Sequence, residues 1–300
     1  MKKTVVITGC SSGFGRQLAE VLARRGDRVY ATMRAAEGKN AAVAGALAEI
    51  AASEGIDLRV LELDVGSTES VDSAAETVIA ESGAPDVVVN NAGVMYTGFT
   101  EAFTPEELTA QLDVNVVGIH RVNRAFLPAM RKAGKGLIIN LSSVAGRIGA
   151  PFFGVYHASK WGLEGYSMAL RGELASSGVD LVVVEPGPFA TELFARSPRP
   201  TDADGRIDNY PTLAHEALES LDLSFDGMFD DADTPTDPGM VVEQIVTLID
   251  TPAGNRPFRS VVGVDVGVVG RNTAVEPFDA AVLEAFGLTE FATLVPERSR

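Results

Sequence analysis

Tyr156 and Lys160 stand four residues apart at the start of a stretch with helical periodicity, so a phenol and an ammonium share one helix face. An ammonium close to a phenol favours the phenolate and lowers the tyrosine pKa from its reference of about 10. A tyrosine tuned in this way can act as an acid or base near neutral pH. The spacing also arises by chance in many helices, so the pair alone does not establish chemistry. Ser143 strengthens it, because it follows the apolar run 137–141 and open α/β sheets present their ligand contacts at strand ends. Asn115 is the fourth polar residue that stands out in the middle of the chain.

A second constellation is Thr8-Gly9-Cys10-Ser11-Ser12-Gly13-Phe14-Gly15, between an apolar run and a helical pattern. Glycines let a backbone approach a pyrophosphate closely, and a helix N-terminus offers it free N–H groups. Ser11 and Ser12 can add hydroxyl donors. Glycine also marks any tight turn, and it is the strand–turn–helix context that favours a dinucleotide. The spacing Gly-x-x-x-Gly-x-Gly is one residue wider than Gly-x-Gly-x-x-Gly. The next apolar run ends in Met33 and Arg34, where an acid would accept the ribose hydroxyls of NAD. A cation there suits the 2′-phosphate of NADP, with Arg16 and Lys39 near in sequence; the alternative is a surface arginine. Cys10 is expected to be a small loop filler, and His157, Trp161 and Tyr166 packing or surface residues. Phe152 and Phe153 either border the substrate or pack in the core.

These residues need a scaffold, and the pattern supplies one. Apolar, β-branched runs at 4–8, 28–32, 58–63, 86–90, 137–141 and 180–185 alternate with helical patterns at 13–25, 41–53, 71–81, 105–132 and 156–176. Thr104 caps the long helix, with Glu106 and Glu107 in its first turn. The strand runs are continuously apolar, as for strands buried on both faces of a parallel sheet, and the repeated alternation implies βαβ units. Beyond Pro186 the pattern breaks, and segment 202–237 holds 11 acids against one base, a local charge of −10. Segment 195–240 is either a solvated loop or a lid over the site. A helix at 240–249, a strand at 260–264 and a C-terminal helix at 277–286 complete the expectation.

Composition limits the function. Of 300 residues 46% are hydrophobic and 22% charged, a globular balance. With 25 Lys and Arg against 41 Asp and Glu, the net charge of −16 disfavours a nucleic-acid phosphate track. No apolar run is long enough to span a membrane, and the run after Met1-Lys2-Lys3 is too short for a signal-peptide core. One cysteine and three histidines allow no disulfide and argue against a metal site. A reducing, cytoplasmic compartment is expected.

Taken in order, the motifs resemble the short-chain dehydrogenase/reductase family, in its branch with the wider glycine loop. The resemblance rests on Thr8–Gly15, Asp64, Asn90-Asn91-Ala92-Gly93, Asn115, Ser143, Tyr156-x-x-x-Lys160, and Pro186-Gly187 followed by Thr191, and it covers roughly residues 4–195. It implies that Tyr156 is the general acid/base and that Ser143 bonds the substrate oxygen. Lys160 would bind the nicotinamide ribose and tune Tyr156, and Asn115 would hold a water linked to Lys160. It implies cofactor contacts at Gly9, Ser11, Ser12, Gly13, Phe14, Gly15, Asp64, Val65, Asn91, Ala92, Gly93, Pro186, Gly187 and Thr191, beside Arg34, Tyr156 and Lys160. Residues 28–34 resemble members acting on steroids, retinoids and other bulky alcohols or ketones with NADP(H).

The expected fold is therefore α/β: a single Rossmann-type domain over 1–300, a doubly wound parallel sheet with helices on both faces. The expected activity is NADP(H)-dependent interconversion of a carbonyl and a secondary alcohol on a bulky, mostly apolar small molecule, without a metal. Two other readings are a dinucleotide-binding regulatory protein on the same fold and an epimerase or dehydratase relative. Self-association as a homodimer or homotetramer is expected from apolar residues such as Val114, Val117, Phe126, Met168 and Leu170 on the helices at 105–132 and 156–176, which related proteins pair across a two-fold axis.

Overall fold

Strands made of Val, Ile and Leu with few polar interruptions must be covered on both faces, and they are. The computed structural model describes residues 2–294. Among them, β1 (Thr4–Ile7), β2 (Arg28–Met33), β3 (Leu58–Glu62), β4 (Val87–Asn90), β5 (Gly136–Leu141), β6 (Val179–Pro186) and β7 (Arg259–Val262) form one sheet. Every pairing is parallel, in the order β3-β2-β1-β4-β5-β6-β7. All eight residues of β6 and all four of β4 are buried.

The helices are α1 (Gly13–Arg24), α2 (Ala41–Glu54), α3 (Thr68–Ser82), α4 (Pro105–Leu112), α5 (Gly118–Ala133), α6 (Gly154–Leu174), α7 (Glu192–Ala195), α8 (Thr212–Asp230), α9 (Gly239–Asp250) and α10 (Val268–Ala285). The two sheet faces carry separate cores. Val5 and Ile7 pack with Leu18 and Leu22 of α1, Leu47 of α2 and Ile245 of α9. Val6 points the other way, to Val71 and Val78 of α3, Val122 and Phe126 of α5 and Leu174 of α6. Strand order reverses at β1 and β4, so a crevice opens at their carboxyl ends, where such sheets bind ligands. No helix among the described residues is long and apolar enough to cross a membrane.

Four expectations change. The continuous helix at 105–132 is interrupted by one π turn, Asp113–Val117, between α4 and α5. Its start is as expected: the Thr104 hydroxyl accepts from Glu107 N–H (3.2 Å) and the Glu107 carboxylate accepts from Thr104 N–H (2.8 Å). Segment 195–240 is not only loop, since it contains the 19-residue α8. The last helix begins at Val268 rather than 277, because the Asp265 carboxylate accepts from Val268 N–H (2.6 Å) and Val269 N–H (3.3 Å) and so caps it earlier. Pro277 therefore sits inside the helix, missing one donor, and does not open it. Finally, Phe126 is fully buried, Val114 and Leu170 are partly buried against the same core, and of the five residues named for self-association only Val117 and Met168 are exposed.

Phe126 anchors α5 to the sheet, so Phe126→Ala should lower unfolding free energy by about 3–5 kcal/mol, measured by urea denaturation. A loss below about 1 kcal/mol would contradict the packing described for it.

Candidate active site

The turn after β1 is shaped by what lies behind it. Gly9 has φ +74°, and a Cβ there would lie 2.8 Å from Ala92 Cα. A Cβ on Gly15 would collide with the Asn91 side-chain amide and come within 2.7 Å of Gly9 O. Asn91 straps the turn, donating from Nδ2 to Thr8 O (2.8 Å) and Gly9 O (3.1 Å). Thr8 Oγ1 in turn accepts from the N–H groups of Asn91 and Ala92, each at 3.0 Å. Ser12 is extended and leaves the first turn of α1 without a side-chain cap, so amides there face the crevice unsatisfied. Cys10 is the expected filler. It is fully buried, its Sγ lies 3.3 Å from Ile7 O, and burial pushes the thiol well above its ordinary range.

One cleft of about 750 Å³ runs from this turn to α6. It is lined by Gly9, Ser11, Ser12, Gly13, Phe14, Arg34, Asp64, Val65, Asn91, Ala92, Gly93, Ser143, Tyr156, Lys160, Pro186, Gly187 and Thr191. Of the residues singled out from sequence, Gly15 and Asn115 do not line it. Gly15 lies beneath the turn, where it provides the space for Asn91. Arg34 is exposed at the end of β2, and its backbone is fixed by Asn40 Nδ2 donating to Arg34 O (2.7 Å) and by Glu62 accepting from the amides of Ala35 and Ala36. Arg16 and Lys39 line an adjoining cleft that shares Ser11, Ser12 and Gly13. A turn with open amides at one end and a guanidinium at the other fits a dinucleotide phosphate group.

At the opposite end, Ser143 caps a short 3-10 turn, Val144–Gly146. Its hydroxyl accepts from Ala145 N–H (3.1 Å) and donates to Pro186 O (3.2 Å). Tyr156 is buried, and burial pushes its phenol up to about 12, against a hydrogen bond with Ser143 that pulls it down. Lys160 Nζ donates to Leu141 O (2.8 Å) and lies 5.7 Å from the Tyr156 ring centroid. Burial lowers the ammonium to about 8, with Glu164 acting to raise it. The expected lysine-driven lowering of the phenol is therefore not what the protein presents: desolvation dominates both groups, and Lys160 is drawn to a carbonyl. Pro186 and Gly187 approach the other wall so closely that a Cβ on Gly187 would lie 2.6 Å from Val264 O.

Asn115 is buried and does not line the cleft. Carried inward by the π turn, its Oδ1 accepts from Val94 N–H (2.9 Å), and its Nδ2 donates to Val94 O (2.9 Å) and Ser159 Oγ (3.0 Å). Both side-chain donors are engaged, so this side chain is a strut between the β4 loop and α6. Phe153 lines the cleft, whereas Phe152, at φ +71°, packs on Phe99 at 5.3 Å. Sequence reasoning did not find His157, Phe225 or Met228 as cleft residues. The last two come from α8, some seventy residues after Tyr156, and the sequence pattern carried no signal for them.

Comparison with known proteins agrees with this geometry. The family model described as short chain dehydrogenase matches residues 3–201. The chain is 38% identical over 220 residues, 73% of its length and 74% of the relative's, to the 3-ketodihydrosphingosine reductase of Bacteroides thetaiotaomicron. It is 38% identical over 193 residues, 64% of its length and 77% of the relative's, to the NADPH-dependent pterin aldehyde reductase of Arabidopsis thaliana. A solved structure of a short-chain dehydrogenase from Streptomyces avermitilis superposes with a TM-score of 0.72 at 30% identity, covering 95% of this chain and 96% of that one. With its parallel seven-stranded sheet and phosphate turn, the chain belongs to the short-chain dehydrogenase family, oxidoreductases that bind a nicotinamide dinucleotide and act on CH–OH groups.

Proposed function

We propose that the protein is an NADP(H)-dependent ketoreductase acting on a bulky, mostly apolar carbonyl compound. One observation carries this reading: Ser143, Tyr156 and Lys160 converge on a cleft that has Arg34 and the glycine turn at one end and an aromatic wall at the other. The bound dinucleotide supplies the hydride. Ser143 holds the carbonyl oxygen through its hydroxyl, and Tyr156 donates its phenolic proton to that oxygen. Because burial raises the phenol to about 12, it stays protonated through the neutral range and is lost as an acid only as pH rises through that value. Lys160 binds the ribose and Asp64 the adenine side. Asn115 positions the loop after β4.

The aromatic wall supports the substrate class. Phe153 meets Phe225 at 6.1 Å, Phe194 meets Phe225 at 4.8 Å, and Phe194 meets Phe229 at 5.3 Å. Segment 195–240 is a lid in this reading: α8 turns Phe225 and Met228 to the cleft and keeps Glu216, Glu219, Asp226 and Asp230 in water. Apolar burial of about 25 cal/mol per Å² is non-directional, so several aromatic or steroid-like ketones should be accepted. The name of the Bacteroides relative, a ketone reductase, and that of the Arabidopsis relative, an NADPH-dependent reductase, favour the same direction and cofactor. Self-association as a homodimer or homotetramer rests on Val117, Trp161 and Met168, which are 40–44% exposed on the α5–α6 side.

The central test is NADPH oxidation over a panel of ketones with Tyr156→Phe beside wild type. The variant should lose at least about 100-fold in kcat, since general acid catalysis contributes that much or more, and should bind NADP normally. Residual activity within about tenfold of wild type means another acid serves. Arg34→Ala should weaken NADP by roughly 10- to 100-fold, the value of a charged hydrogen bond, and leave NAD nearly unchanged. Equal losses for both cofactors overturn the NADP assignment. Light scattering at micromolar concentration should give a dimeric or tetrameric mass, and a monomer refutes the self-association.

A further inference from the structure

His157 follows Tyr156 about a hundred degrees around α6, and its ring is fully engaged. Ala150 N–H donates to Nε2 at 2.9 Å, and Nδ1 lies 2.7 Å from Ala145 O. A backbone N–H can only donate and a carbonyl can only accept. The imidazole is therefore neutral, with its proton on Nδ1. Its two bonds join the ends of loop 145–150, the stretch that carries Ile148 and Ala150 along the substrate side of the cleft. The middle of that loop is held by Trp161 Nε1, which donates to Ile148 O at 3.0 Å. Ala145 passes the constraint on, since its N–H donates to Ser143 Oγ at 3.1 Å. One residue, Ala145, thus separates the imidazole from the hydroxyl that would meet the carbonyl.

We propose that His157 is a positioning residue for carbonyl reduction: its imidazole staples loop 145–150 and thereby orients Ser143. Phe153 covers one edge of the imidazole, with ring centroids 6.0 Å apart. Arg147, in the middle of the loop, donates to Asn272 Oδ1 at 2.7 Å, while the imidazole and the Trp161 indole bond the loop backbone to α6.

The kinetic part of the test rests on the ketoreductase reading, and a spectroscopic part does not. Trp161 is the only tryptophan and is bonded to the loop, so its emission reports the loop without cofactor or substrate. His157→Gln, which keeps a donor and an acceptor, should retain the wild-type emission and activity. His157→Ala should shift the emission and raise the ketone KM about tenfold, the value of one positioning hydrogen bond, with the NADP Kd unchanged. An emission spectrum of His157→Ala identical to that of wild type overturns the proposal, as does a His157→Ala KM within about twofold of wild type. If His157→Ala does not fold, His157→Phe, which fills the space without either bond, takes its place in both measurements. Absence of turnover in wild type on every ketone would count against the ketoreductase reading alone, and the emission comparison would still decide the role of His157.

Discussion

The chain leaving β1 and the chain leaving β4 approach so closely that no side chain fits between them, and the site is built outward from that contact. Gly9 faces the backbone of Ala92, and Gly15 faces the amide of Asn91. Thr8 and Asn91 close the gap with four hydrogen bonds that satisfy backbone groups otherwise orphaned at the strand ends. This contact sits where strand order reverses, so it holds the floor of the crevice while the flanking loops diverge above it. The open first turn of α1, Arg34 from β2, Ser143 from the end of β5 and Gly187 from the end of β6 all take their positions from the same sheet edge.

Burial then governs protonation at the far end of the cleft. Desolvation disfavours whichever form is charged, so it raises the Tyr156 phenol and lowers the Lys160 ammonium together. Lys160 cannot offset this for Tyr156 because its Nζ is directed to Leu141 O, at the end of β5. The same rule makes Cys10 an inert thiol despite its place in the phosphate turn. A buried phenol raised in this way keeps its proton through the neutral range, and Ser143 is the group whose hydrogen bond moderates the shift.

The aromatic lining of the cleft sits on a different layer. Phe153 belongs to the loop before α6, Phe194 to α7, and Phe225 and Phe229 to α8, so three separated segments make one aromatic wall. The acidic bias of segment 202–237 and its aromatic contacts are compatible because α8 is amphipathic: Glu216, Glu219, Asp226 and Asp230 face water while Phe225 and Met228 face the cleft. The imidazole of His157 and the indole of Trp161 brace loop 145–150 beside this wall.

The local pattern was sufficient for much of this protein. Continuous apolar strands alternating with helical stretches required a covered parallel sheet, and the glycine turn, Arg34, Ser143, Tyr156 and Lys160 were legible because strand ends and helix faces set where such residues point. What the pattern could not contain were effects of distant partners. The π turn that swings Asn115 inward answers to the backbone of Val94 and the hydroxyl of Ser159, not to its own helix. Phe126 looked available for self-association until β-sheet residues covered it. His157 read as a packing or surface residue until loop 145–150 folded over both its nitrogens, and α10 began early because Asp265 reached two of its amides. Periodicity encodes which face of an element is apolar, whereas hydrogen-bond partners and desolvation depend on what is packed against that face, which is a property of the assembled fold.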